Sequence, residues 1–125
     1  MTKWQEITGG VTAPKGYQAS GVSVGFKRSG RPDLALILSD VEAIAAGVFT
    51  NSQMRSVSID YSRQRLRIKH SARAILCNSG QANTGTGKQG ILDAEESAQL
   101  LAKELGIDIE LILLAYTGVI GQSIN

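Results

Sequence analysis

Hydrophobic positions along the chain fall into short runs separated by polar and glycine-rich stretches. In residues 21–27 (GVSVGFK), Val22, Val24 and Phe26 alternate with small or polar residues, and this period of two predicts a half-buried strand. Residues 28–33 (RSGRPD) read as a turn. Residues 34–38 form an unbroken apolar run between Asp33 and Ser39-Asp40, which predicts a strand buried on both faces. Further strands are predicted over residues 45–50 (AAGVFT), 73–78 (RAILCN) and 110–116. Between the last two, Ile91, Ala94, Ala98, Leu101, Ala102 and Leu105 recur at spacings of three and four, the stripe of an amphipathic helix over residues 91–105. Gly106 is placed to end it at C′, with Asp93, Glu95 and Glu96 near its start and Lys103 near its end suiting the helix dipole.

This order predicts an α/β protein, a mixed sheet or sheets packed with at least one amphipathic helix and covered on at least one face. One segment is ambiguous. Arg63, Arg65, Arg67 and Lys69 recur at every second residue. On a strand they would share one face. That face is either a surface for an anionic ligand or a solvated edge that its charge keeps from pairing. The absence of interleaved aromatics favours the second reading over a single-stranded nucleic-acid surface.

Composition narrows the class. The 125 residues fit one domain, residues 1–125, or an N-terminal piece of a larger one. Apolar residues make up 42%, and the net charge of +2 is too small to imply a polyanion partner. Fourteen glycines against two prolines point to tight turns rather than a disordered linker. The single cysteine, Cys77, excludes an internal disulfide and fits a reducing, cytoplasmic setting. Residues 1–10 carry no apolar stretch of the signal-peptide kind. The longest apolar runs fall far short of the roughly 20 residues of a membrane span. Neither a membrane, nucleic acid nor a cofactor is expected as a partner.

Two places could carry chemistry. The loop over residues 78–90 (NSGQANTGTGKQG) leads from a strand into a helix N-terminus, where free N–H groups favour anions. Within it, Gly85, Gly87 and Gly90 match G-x-G-x-x-G, which opens a nucleotide-binding reading. The match is poor: the first glycine follows the strand end at Asn78 by seven residues (78 to 85). In a dinucleotide fold it follows directly. As a P-loop it fails as well, since Gln89 follows Lys88 where Ser or Thr should ligate magnesium, and Ala82 replaces the first glycine. Asn and Gly serving turn geometry and helix capping explain the loop without a ligand.

The second place is Thr117-Gly118, after the last strand. It offers a hydroxyl and a backbone N–H side by side, able to stabilise a developing oxyanion in acyl transfer, although Thr-Gly after a strand is commonly only a turn. His70 and Cys77, seven residues apart (70 to 77) on one strand, would face opposite sides, so a Cys–His dyad or metal pair is not expected and Cys77 reads as an inert core residue.

Four segments taken together, residues 10–27 (GVTAPKGYQASGVSVGFK), 33–51 (DLALILSDVEAIAAGVFTN), 72–90 (ARAILCNSGQANTGTGKQG) and 117–121 (TGVIG), resemble the ornithine acetyltransferase (glutamate N-acetyltransferase) family of arginine biosynthesis in order and spacing. The likeness is to the first third or so of a family member, the N-terminal part of its α chain. It implies the corresponding region of that fold, and an enzyme made as a precursor that cuts itself. The new N-terminal threonine of the β chain is then the nucleophile that carries acetyl from N-acetylornithine to glutamate. Some family members also accept acetyl-CoA, and the resemblance implies a homo-oligomer. Family members place their oxyanion hole at a Thr-Gly pair, which corresponds to Thr117 and Gly118 here.

Two departures stand out. Tyr116 occupies a position usually held by serine, putting a phenol beside the pair, and residues 51–58 (NSQMRSVS) lack the usual Ala-Pro. The chain stops at Asn125, ahead of the implied cleavage motif and nucleophile. By itself it is expected to be inactive, either as the oxyanion-bearing part of the enzyme or as a truncated, non-catalytic folding or binding module.

Overall fold

The computed structural model describes residues 3–124. Its elements run β1 (Tyr17–Val22), β2 (Leu34–Ile44), α1 (Val57–Ile68), β3 (Ser71–Asn78), α2 (Gly87–Leu105) and β4 (Ile112–Tyr116), with a 3-10 turn at Ile109–Leu111. The four strands form one mixed sheet in the order β1-β2-β3-β4. The first three are antiparallel neighbours, while β4 returns beside β3 in parallel after the α2 crossover. The expected mixed sheet with an amphipathic helix is therefore present, with a second helix, α1, along the β4 edge.

Along β3 and β4 the side chains alternate. Ala74, Ile112, Leu114 and Tyr116 are buried against Tyr61 of α1 and Ala94 and Ala98 of α2. Ala94 and Ala98 are 1% and 0% exposed. Their small side chains let α2 lie close on the sheet, so the core is thin and tightly spaced. Ala35, Ile37, Ile75, Cys77 and Leu113 alternate with the core positions, lie on the opposite face and stay only partly buried.

Several expectations change. The strand expected over residues 21–27 lies earlier, at Tyr17–Val22. Residues 23–33 form a loop in which Val24 is 48% exposed. The alternation there reflects loop side chains, not a pleat. The run at residues 34–38 is the first part of an eleven-residue strand that shifts register between Leu38 and Ala43. Residues 45–50 pair with no strand.

The strip from Arg63 to Lys69 is not a strand but the end of α1. Its four cations do not share a face. Arg63 Nη2 donates to the Thr50 carbonyl (2.8 Å) and lies over the Phe49 ring. Arg65 stacks on Tyr61, and Lys69 pairs with Glu42 at 3.0 Å. Arg67 lines a cavity with Arg63, His70 and Phe49.

Helix α2 starts at Gly87, one turn before the expected residue 91, so Asp93, Glu95 and Glu96 lie beyond its first turn, which holds no acid. Its end is as expected: Gly106 is left-handed (φ +63°), its N–H donates to the Lys103 carbonyl, and the Ile107 N–H donates to that of Ala102. This Schellman arrangement satisfies the last carbonyls.

Candidate active site

Parallel pairing places the carboxyl ends of β3 and β4 side by side, with Asn78 opposite Tyr116. In open α/β sheets such ends are where ligands bind. The chain leaving β3 and the chain leaving β4 stay together. The Thr117 N–H donates to the Asn78 carbonyl (2.8 Å), the Val119 N–H to the Gly80 carbonyl (3.0 Å), the Ala82 N–H to the Val119 carbonyl (3.0 Å), and the Gly121 N–H to the Thr84 carbonyl (2.7 Å). Between the first two bonds sits Gly118 at φ +132°, and a Cβ there would overlap the Gly80 carbonyl. Both the backbone angle and the close approach require glycine. The Gly118 N–H and the Thr117 hydroxyl have no hydrogen-bond partner among the described residues.

The Thr117–Gly118 peptide divides two open cavities. Thr117 borders one of about 320 Å³ with Val48, Phe49, Ser58 and Ala115. Gly118 borders another of about 650 Å³, walled by residues 26–29 of the β1–β2 loop, Ser79, Gly80 and Gln122. That loop is shaped by Asp33, 2% exposed, whose carboxylate accepts the N–H groups of Val24 and Lys27, both at 2.8 Å. These backbone donors hold the Asp33 carboxyl below its ordinary range. The Asp33 carbonyl in turn accepts the Ser79 N–H (2.8 Å), and Phe26 lies directly on Gly80. By sequence alone, residues 28–33 read only as a turn. The signal available was a lone acid at the end of a turn, next to an apolar strand.

Tyr116 does not crowd the pair. Its side chain points into the core and is 9% exposed, and burial pushes its phenol pKa up. Thr117, one residue on, is exposed. The Tyr116 side chain therefore belongs to the core.

The glycine-rich loop is occupied with its own structure. The Thr86 hydroxyl donates to Asn83 Oδ1 (2.6 Å), and Asn83 Nδ2 donates to the Gly90 carbonyl (2.8 Å). Asn83 is fully buried at φ +52°, and its carbonyl accepts the Val57 N–H at the start of α1. The loop thus fastens α1 to α2 in the manner of an internal brace. His70 lies just outside β3, exposed, while Cys77 is half-buried within it, and burial pushes the Cys77 thiol up. The two do not meet in a cavity. No three His, Cys, Asp or Glu side chains gather as metal ligands, and no helix is long and apolar enough to cross a membrane, among the described residues.

Comparison with known proteins identifies the family. The ArgJ family model matches residues 18–125. The arginine biosynthesis bifunctional protein ArgJ 1 of Nostoc sp. is 72% identical over 125 residues, which is 100% of this chain and 30% of that protein. ArgJ of Synechocystis sp. is 66% identical, again over 100% of this chain and 30% of that protein. The chain thus spans 30% of the length of these curated relatives. The crystal structure of ArgJ from Bacillus halodurans superposes with a TM-score of 0.89 at 33% identity, covering 93% of this chain and 60% of that one. Ornithine acetyltransferase from Mycobacterium tuberculosis, solved in complex with ornithine, gives 0.87 at 36% identity, covering 92% and 62%. With a family model spanning most of the chain and relatives this similar along its whole length, the chain belongs to the ArgJ family.

Proposed function

We propose that this segment supplies the oxyanion donors of an acetyltransferase that moves acetyl from N-acetylornithine to glutamate, with Thr117 donating its hydroxyl and Gly118 its backbone N–H. The observation that carries this reading is the Gly118 amide, pinned by hydrogen bonds on both sides and itself without a partner among the described residues. An N–H left free at the carboxyl end of a parallel pair is aimed without further reorganisation, which is the condition for electrostatic stabilisation of a transition state.

In this reading a threonine nucleophile, at the N-terminus of a β chain derived from the same precursor, attacks the acetyl carbonyl of N-acetylornithine. The carbonyl electron pair moves onto oxygen, and the two donors stabilise that charge. Collapse expels the ornithine amine, which takes up the nucleophile's proton, and leaves an acetyl ester on the threonine. The glutamate amine then attacks the ester through a second oxyanion in the same place, regenerating the hydroxyl. Acetyl-CoA would enter as an alternative donor to the same ester. In the same reading the complete enzyme works in the cytoplasm as a homo-oligomer of paired α and β chains.

The test is Thr117→Ala in the full-length protein carrying this segment. Loss of one donor is expected to lower kcat by about 10²–10³-fold, roughly 3–4 kcal/mol, with a small change in KM. The melting temperature should stay close to wild type, since Thr117 is exposed at a strand end. An unchanged rate would overturn the assignment.

A further inference from the structure

We infer that Asn78 is a positioning residue for the Thr117–Gly118 pair, holding one side of Gly118 through its backbone carbonyl and the other through its side-chain amide by way of Gly80 and Gln81. This rests on the acyl-transfer reading of that pair.

Asn78 closes β3 and is 2% exposed. A buried amide needs partners for its donors and acceptors, and Asn78 directs its recorded side-chain bonds to one short stretch of chain. Oδ1 accepts the N–H groups of Gly80 (2.7 Å) and Gln81 (3.1 Å), and Nδ2 donates to the Gln81 carbonyl (3.0 Å). Such side-chain bonds to the backbone two and three residues on are how asparagine builds a turn. The turn fixes the Gly80 peptide, whose carbonyl accepts the Val119 N–H and lies against the Cα of Gly118. The Asn78 carbonyl meanwhile accepts the Thr117 N–H. The residues on both sides of Gly118 are thereby tied to Asn78, and the free amide between them has its direction set by it.

The two arms can be separated. Every substitution keeps the backbone carbonyl, so variants test the side-chain arm alone. Asn78→Asp keeps an acceptor for Gly80 and Gln81 but turns a charged carboxylate oxygen toward the Gln81 carbonyl in place of the donor. Asn78→Leu, with the same branching at Cγ, loses all three bonds.

The experiment uses the full-length protein and measures kcat and KM for N-acetylornithine alongside Thr117→Ala, at a temperature where every variant is folded. Asn78→Leu is expected to lower kcat by about 10–100-fold with KM little changed, because a misplacement of about 1 Å has effects of this size. Asn78→Asp should recover part of the loss, because the two acceptor bonds remain. If Thr117→Ala slows transfer while Asn78→Leu leaves kcat at wild type, the positioning role is overturned and the oxyanion reading stands. If neither variant alters kcat, the oxyanion reading itself fails. If Asn78→Leu slows transfer but Asn78→Asp restores none of it, the acceptor role is overturned. Should Asn78→Leu not fold, Asn78→Ser replaces it: a reduced kcat supports the role and a wild-type kcat overturns it.

Discussion

Ser62 and Leu114 exchange two hydrogen bonds across the α1–β4 interface, the Ser62 hydroxyl donating to the Leu114 carbonyl (2.8 Å) and accepting the Leu114 N–H (2.9 Å). One turn earlier on the same helix, Ser58 Oγ accepts the Tyr116 N–H (3.2 Å). These buried hydroxyls occupy the places a fifth strand would take. They satisfy the outer edge of β4, which would otherwise bury unpaired backbone groups.

Ser62→Ala would leave the Leu114 N–H and carbonyl buried without partners. The expected destabilisation is about 2–3 kcal/mol, read as a lower urea midpoint by circular dichroism. A midpoint equal to wild type would show that the edge finds other partners.

The same serines explain what the sequence concealed. In α2 the buried positions are apolar and recur with helical period, so the helix was legible and only its first turn was missed. In α1 the buried residues are Ser58, Tyr61 and Ser62, which carry almost no hydropathy signal, while the alternating cations imitate a strand. Strand β1 was misplaced for a related reason: at a sheet edge all its residues but Tyr17 are exposed, so no alternation marks it. Thr117 and Gly118 were found as a strand-end pair. Asn78 and Asp33 were not, because their roles are hydrogen bonds to backbone brought near only by the fold.

Asp33 gives the β1–β2 loop a pH dependence. Its folded pKa lies below the ordinary 3.8, because the charged carboxylate is the form the Val24 and Lys27 amides bind. The stabilisation is complete above the unfolded value and is lost as pH falls through the lower folded value. Amide exchange at Val24 and Lys27, corrected for intrinsic rates, should lose protection below about pH 4, where the unperturbed group begins to take up its proton. In Asp33→Asn, protection should be lower and show no such transition. Protection that persists unchanged into strong acid would remove Asp33 from this role.

Tyr116→Ser empties part of this core. Truncation of a buried aromatic costs about 3–5 kcal/mol, whereas Thr117 and Val119, on either side of Gly118, keep their backbone bonds. The melting temperature should fall clearly while kcat of the full-length protein, measured where it is folded, stays at the wild-type level. A large gain in kcat would mean that the phenol does obstruct the donors.

Residues 85–90 should bind neither NAD nor ATP. The Thr86 hydroxyl and both ends of the Asn83 amide are already bonded within the loop, and the strand ends well before it. Titration calorimetry is expected to give no heat of binding, and micromolar affinity for either nucleotide would contradict the internal role of this loop.

The parallel junction of β3 and β4 also has a consequence in time. β1, β2 and β3 pair as antiparallel neighbours. β4 reaches β3 only after the chain has travelled the length of α2 and back, because parallel strands cannot be joined by a tight turn. Bringing distant segments together carries an entropic cost that must be met before their contacts contribute. Without the pairing of β4 to β3, Gly118 is an ordinary flexible residue with its amide in water. The geometry that holds the Gly118 amide therefore belongs to the joined pair of strands and to neither strand alone.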